Sequence, residues 1–451
     1  MRLIILTLVL FCSFFSANAQ SAQVFDNRIY DIIDECSAER IQSDIETLVA
    51  FGTRHTLSDT VSNTRGIGAA RRWIKSEMEN ISNECSNCLE VSYISGIIEA
   101  GVSPRIPERT KIVNVVGIKR GTKYPNRYII MSGDIDSRVS DPLNGESDSP
   151  GANDNASGMA GVLEAARVLS KYDFENSIVF VGLSGEEQGL FGGKIMAEQI
   201  SNDGWEVIGI LNNDMIGNIH GIDGVIDNRS FRIFSEAALP SENEQQRVWK
   251  RFYGGEVDGI SRQLARYVHK TTKTYMPEMN PILVYRLDRF GRGGHHRPFN
   301  DAGFAGLRIM EAHENYVMQH QDIRVEDGIS YGDVISGVNF EYASKLTSVN
   351  AINLASIAWA PPSPKGLMIG GVVQPSTRLK WDPSDDPTVT YKIYWRDTTA
   401  PQWQYSRPVG AATDYTLEGI IIDNYLFGVV AVGPDGHESV VAYPTTLIPR
   451  R

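Results

Sequence analysis

The stretch Ile178-Val179-Phe180-Val181-Gly182-Leu183-Ser184-Gly185-Glu186-Glu187 decides the fold. Its first six residues form a short apolar, β-branched run that reads as a buried strand. Ser184 and Gly185 end the run, and two carboxylates follow at once. Successive residues at a strand end point different ways, so one glutamate can ligate a metal while its neighbour acts as general base toward a metal-bound water. Alone, such a doublet is ordinarily a solvated surface pair.

Similar runs lie on either side, at Ile112 to Ile118, Tyr128 to Met131, Val207 to Leu211, Ile282 to Tyr285 and Phe304 to Ile309. Helical spacing of apolar residues marks Ala38 to Ala50, Gly66 to Ile81, Ala156 to Ser170, Phe191 to Ile200, Ile260 to Thr271 and Val334 to Trp359. Strands alternating with helices predict an α/β domain with a largely parallel sheet, whose function collects at the carboxyl ends of the strands. Composition changes at Pro361-Pro362-Ser363-Pro364. Beyond it, short strand signals at Leu379 to Trp381, Tyr391 to Trp395, Tyr415 to Leu417 and Tyr425 to Val432 predict a small all-β sandwich over 361–451.

At the other end, Arg2, the apolar run Leu3 to Phe15 and Ala17-Asn18-Ala19 have the layout of a secretory signal peptide over 1–19. Residues 20–360 then form the main domain. An exported product, secreted or periplasmic, is expected, and no later stretch reaches membrane-spanning length. A formal charge of −12 without a basic stripe argues against nucleic-acid partners. In an oxidising compartment the Cys85-x-x-Cys88 pair is expected to form a short-range disulfide, with Cys36 free or joined to one of the two.

Acidic and amide clusters recur at the strand ends. Asp134 and Asp136 follow Tyr128 to Met131, Asp154 lies in Gly151-Ala152-Asn153-Asp154-Asn155 at a helix mouth, and Asp214 follows Val207 to Leu211. Taken singly, these would be loop caps, a helix N-cap and a turn residue. Converging carboxylates repel unless neutralised, and a divalent metal is the usual solution. A late histidine should complete the set, with His295, His296, His313 and His320 as candidates.

These ordered motifs resemble the secreted dinuclear zinc aminopeptidases of the bacterial leucyl type, over about Ala38 to Trp359. The resemblance implies a three-layer sandwich around a mixed, mostly parallel sheet, two divalent metal ions, zinc being expected, and peptide substrates. It implies Glu186 as general base to a metal-bridged water, Asp154 as bridging ligand, Glu187, Asp214 and His320 as further ligands, and His296 on the substrate side. Where the family pattern has His-x-Asp, this chain has Asp134-x-Asp136. The first ion would then be held by Asp134, Asp154 and Asp214, an all-oxygen set favouring a harder ion such as manganese. Asp136, expected to support the ligands from behind, would lose an imidazole partner and turn to Arg138. The C-terminal segment, with Trp381, Tyr391 to Tyr394 and Tyr425-x-Phe427, resembles a fibronectin type III domain.

Two rivals follow. Arg286, Arg289, Arg292 and Arg297 could clamp a substrate carboxylate, as in a carboxypeptidase, or the chain could be a cyclase of the same fold. Alternatively, the sandwich is the working part of a non-catalytic binding protein.

Overall fold

The computed structural model describes residues 25–449. The proposed signal peptide at 1–19 lies outside the described residues. Chain order is α1 (Asn27–Glu35), α2 (Ala38–Ala50), α3 (Gly66–Glu84), β1 (Leu89–Ile98), β2 (Thr110–Lys119), β3 (Tyr124–Asp134), α4 (Gly158–Leu169), β4 (Asn176–Leu183), α5 (Phe191–Asn202) and β5 (Glu206–Asn213). It continues with β6 (Ser230–Phe234), α6 (Glu244–Tyr253), α7 (Ile260–Tyr275), β7 (Asn280–Val284), α8 (His296–Asp301), β8 (Gly306–Glu311), a small hairpin of β9 (Arg324–Glu326) and β10 (Ile329–Tyr331), and α9 (Phe340–Trp359).

Eight strands form one mixed sheet in the order β1-β2-β4-β3-β5-β8-β6-β7. Its centre, β4-β3-β5-β8, is parallel. The strand pleat sends alternate residues to opposite faces. In β3, Ile129 and Met131 enter the core shared with α4 and α9, while Tyr128 and Ile130 enter the core shared with α5 and α8. In β4, Ile178 and Phe180 divide from Val179 and Val181 in the same way. Helices therefore cover both faces, and the α/β architecture expected from the sequence is the one observed.

The central strands end in register. Asp134 pairs with Leu183, and Gly133 with both Gly182 and Asn213. Gly133 has no room for a side chain, since a Cβ there would stand 2.7 Å from the backbone of Gly158 at the start of α4. Past β4, Gly185 adopts a positive φ of 76°, the left-handed conformation glycine takes without steric cost, and this turn delivers the Glu186-Glu187 doublet to the sheet edge. Buried amides tie α9 to the sheet. Asn350 and Asn213 exchange side-chain hydrogen bonds of 2.7 and 3.1 Å, and Asn176 donates to the carbonyls of Ala358 and Ala360 at the end of α9.

Helix α9 begins six residues after the expected Val334. Asn339 caps it by accepting from the Tyr342 amide, and Ile335–Gly337 forms a separate 3₁₀ turn. The sequence reading also listed neither the edge strand β1 nor the shorter α1, α6, α8 and β6. Cys85 and Cys88 are disulfide-bonded, and Cys36 is unpaired among the described residues.

The C-terminal segment contributes β11 (Met368–Gly370), β12 (Thr377–Lys380), β13 (Thr390–Asp397), β14 (Tyr405–Gly410), β15 (Asp414–Leu417), β16 (Tyr425–Val432) and β17 (Thr446–Leu447). They make two small sheets, β15-β12-β11-β17 and β14-β13-β16, closing on a separate core that includes Leu379, Trp381, Ile393, Leu417 and Val429. Buried charge fastens this unit to α7. Asp258 accepts from Arg266 of α7 at 2.5 Å and from Arg396 of β13 at 2.9 Å, with both guanidinium groups essentially excluded from water.

Candidate active site and metal centre

Three adjacent parallel strands end at the same edge, and each supplies acidic groups. Glu186 and Glu187 follow β4, Asp134 closes β3, and Asp214 follows β5. Asp154 comes from the irregular turn over Ala152–Ser157 that opens α4. Its backbone is fixed by Asp333, whose two carboxylate oxygens accept from the amides of Asn153 and Asp154 at 2.8 and 2.7 Å. His320 arrives from the loop before β9 with a φ of 54°. Few non-glycine residues adopt this left-handed region, histidine more readily than most, and such conformations gather at functional sites.

Asp154, Glu187 and His320 converge. His320 Nε2 stands 2.8 Å from Asp154 Oδ2 and 2.7 Å from Glu187 Oε1. Among the described residues this is the one group of three His, Cys, Asp or Glu side chains whose ligand atoms all lie within 4.8 Å of one another. One imidazole nitrogen and two carboxylate oxygens, with room for a fourth ligand on the cleft side, fit the donor set of a catalytic zinc site. Supporting groups hold the donors in place. Arg138 donates to Glu187 Oε2 at 2.6 Å and sits 2.6 Å from His320 Nδ1, leaving Nε2 as the nitrogen that faces the carboxylates. Gln319 donates to Asp154 Oδ2 at 3.1 Å. Without a metal, burial would raise the pKa of Asp154 and Glu187, yet the imidazolium of His320, itself pushed up to about 9 by these carboxylates, outweighs it and holds both below the ordinary carboxylate range; a metal ion would displace that proton.

Glu186 differs from its neighbour. Its side chain lines the cleft, and among the described residues none donates a hydrogen bond to it or pairs with it. Burial, followed by the charges of Glu187, Asp214, Asp134 and Asp154, holds its pKa well above the usual glutamate value. A raised pKa is the direction expected of a group that must take and return a proton.

The doublet is anchored by Asp136. Once β4 has ended, the amides of Glu186 and Glu187 have no ladder partner, and Asp136 accepts both at 3.2 and 3.1 Å. Thr56 donates to it as well, at 3.0 Å. The expected pairing of Asp136 with Arg138 is therefore corrected: Asp136 is spent beneath the loop, and Arg138 reaches the ligands instead.

Asp134 and Asp214 stand apart from the triad. Asp134 Oδ1 lies 2.5 Å from His295 Nδ1, and Oδ2 accepts from Asn155 at 2.9 Å. Asp214 Oδ2 lies 2.8 Å from Nη2 of the buried Arg308 in β8. Burial raises the pKa of both, that of Asp214 to about 7 against the pull of Arg308. The expected ligand set of Asp134, Asp154 and Asp214 is thus not assembled as a cluster.

His296 is also corrected. It is fully buried, donates to the Leu287 carbonyl at 2.8 Å and does not line the cleft, because α8 turns its first residue inward beneath β8. Its neighbour His295, the partner of Asp134, was among the sequence candidates without a role. Arg308 and Asp333 had no motif to mark them as part of the site, and Arg138 and Asn155, though they lie in the motifs, were not given these contacts.

The cleft above these groups has a volume of about 730 Å³. Its floor carries Asp154, Glu186 and Glu187, and its rim carries Lys194, Arg292 and Arg297. Two carboxylates and an imidazole placed to hold a metal ion, beside a glutamate whose side chain is unpaired, at the edge of a doubly covered sheet, are the arrangement of a metallopeptidase. A sequence profile of Peptidase family M28 matches residues 114–332. A protein of Pyrenophora teres f. teres described as a probable zinc metalloprotease is 40% identical over 423 residues, covering 93% of this chain and 87% of the relative. A Leptosphaeria maculans protein of the same description is 39% identical over 424 residues, covering 93% and 97%. The chain belongs to Peptidase family M28. Its fold is shared with the Legionella pneumophila LapA aminopeptidase (TM-score 0.53, 16% identity, 80% of this chain and 81% of that one) and a Macrostomum lignano glutaminyl cyclase (TM-score 0.51, 15% identity, 75% and 94%).

Proposed function

We propose that this protein is an exported zinc aminopeptidase. The observation that carries the reading is the division of labour in the doublet, with Glu187 committed to the ligand triad and Glu186 free beside it. A zinc ion bound by Asp154, Glu187 and His320 would supply Lewis-acid chemistry, polarising the scissile carbonyl and acidifying a water. Glu186 then accepts the proton of the attacking water and passes it to the departing amine. The acidic floor suits a substrate's terminal ammonium, which favours cleavage from the amino end. Zinc is named in the descriptions of the fungal relatives, and an N,O,O donor set agrees with it.

Export rests on the layout of residues 1–19, and the Cys85–Cys88 disulfide is in keeping with an oxidising compartment. The two-sheet C-terminal unit is read as a fibronectin type III-like module spanning 361–451. The cationic rim of Lys194, Arg292 and Arg297 favours a second reading, a carboxypeptidase that binds the substrate's free carboxylate there. The deciding experiment compares leucyl p-nitroanilide with N-acylated, C-terminally free peptides. Hydrolysis of the first alone, lost with a chelator, supports the aminopeptidase. Hydrolysis of the second alone replaces it with the carboxypeptidase.

A further inference from the structure

The family pattern implies two ions, and only one donor set is assembled here. Both oxygens of Asp134 are taken, Oδ1 by His295 Nδ1 at 2.5 Å and Oδ2 by Asn155 at 2.9 Å. Asp214 Oδ2 forms an ion pair with Arg308 Nη2 at 2.8 Å, while Asp214 Oδ1 and the Nε and Nη2 of Arg308 are buried without hydrogen-bond partners. The Arg308 guanidinium is fully excluded from water and is gripped from its other side by Asp288 Oδ2 at 3.1 Å and the Gly293 carbonyl at 2.9 Å. An ion on Asp214 Oδ2, at a metal–oxygen distance of about 2.0–2.2 Å, would lie within about 5 Å of Nη2, two cations sharing one carboxylate. Through Oδ1 it would still face that guanidinium, and Asp134 could join only by sharing or giving up an oxygen that His295 or Asn155 holds.

We infer that this protein holds a single metal ion, and that Arg308 supplies the positive charge where the family pattern places the other. The inference rests on reading Asp154, Glu187 and His320 as the ligand set. A divalent ion would offset Asp154 and Glu187, while Arg308 and Arg289 together offset Asp214 and Asp288. Arg308 does not line the cleft, so it is a charge-balancing and positioning residue rather than one that touches substrate. It ties the loop after β5 to the loop holding Asp288, on the side of the site where a second ion would otherwise bind them.

The test is metal content. The full chain is equilibrated with excess zinc, desalted and analysed by inductively coupled plasma mass spectrometry, with calorimetric titration of the apoprotein alongside. One zinc per chain and one class of site are expected. Asp154→Ala should lose that zinc, and Asp134→His, which restores the family residue while keeping Arg308, should still bind one. Two ions per wild-type chain, or none, overturns the inference. A second ion gained by Asp134→His alone also overturns it, by showing that Arg308 does not exclude one. The outcomes separate from those of the proposed function: one zinc without peptidase activity upholds this inference and defeats that function, whereas an active chain with two defeats only the inference.

Discussion

Replacing Glu186 by Gln removes one proton-accepting oxygen and leaves the shape of the side chain unchanged. Because the Glu186 side chain has no hydrogen-bond or ion-pair partner among the described residues and lies outside the ligand triad, the change should spare both the fold and the metal. It also relieves repulsion, since Glu186 faces the charges of Glu187, Asp214, Asp134 and Asp154. The thermal midpoint should therefore stay level or rise. General-base catalysis is worth about 10²–10⁴ in rate. At about 1.4 kcal/mol per factor of ten, that is roughly 3–5 kcal/mol of barrier. The expected result on leucyl p-nitroanilide is a fall in kcat of that size with KM nearly constant and zinc content equal to wild type. A kcat within threefold of wild type, at equal zinc content, would refute the assignment. So would loss of zinc, which would make Glu186 a ligand. In the wild type the acid limb of the kcat profile should lie above the ordinary glutamate value of 4.5, because the folded-state pKa is raised and activity is lost as pH falls through it.

Other outcomes can be checked separately. Arg138→Ala frees Glu187 Oε2 and the outer edge of His320, and should weaken zinc binding about 10–100-fold in a chelator-competition titration while leaving the thermal midpoint of the apoprotein little changed. Asp258→Ala strands the buried guanidinium groups of Arg266 and Arg396 and should cost about 3–5 kcal/mol in denaturant unfolding; a loss below about 1 kcal/mol would mean that the junction is not held by that charge. Asp44 is buried in α2, and burial pushes its pKa up from 3.8 to about 7. A raised carboxyl pKa means that the folded chain binds the extra proton, so stability from this group is lost as pH rises from about 4 to 7, by up to about 4 kcal/mol at 1.36 kcal/mol per unit. Asp44→Asn should flatten that slope when urea unfolding is compared at pH 5 and pH 8.

Local pattern carried much of this structure. The apolar runs ending at Leu183, Met131 and Leu211 lie in β4, β3 and β5, and the acidic residues just beyond them meet at one sheet edge. Periodicity works there because each strand declares its own burial. It is silent about which side chains pair across the fold. His295 is 161 residues from Asp134, and Arg138 is 182 residues from His320, so their contacts follow from the sheet order rather than from any local spacing. Arg308 is harder still to see, being a charge between the apolar Leu307 and Ile309 that only its neighbours Asp214 and Asp288 make tolerable. The doublet was legible because adjacency is local. The fate of Asp134 was not, since Asp134 is either a ligand or a partner for His295 according to where α8 begins.

The central claim is that Asp154, Glu187 and His320 hold the catalytic zinc beside Glu186. An anomalous difference map at the zinc absorption edge, from crystals of the zinc-loaded protein, tests it most directly. The account predicts the strongest peak among Asp154 Oδ2, Glu187 Oε1 and His320 Nε2; no peak there, or the strongest one on another set of side chains, would contradict it.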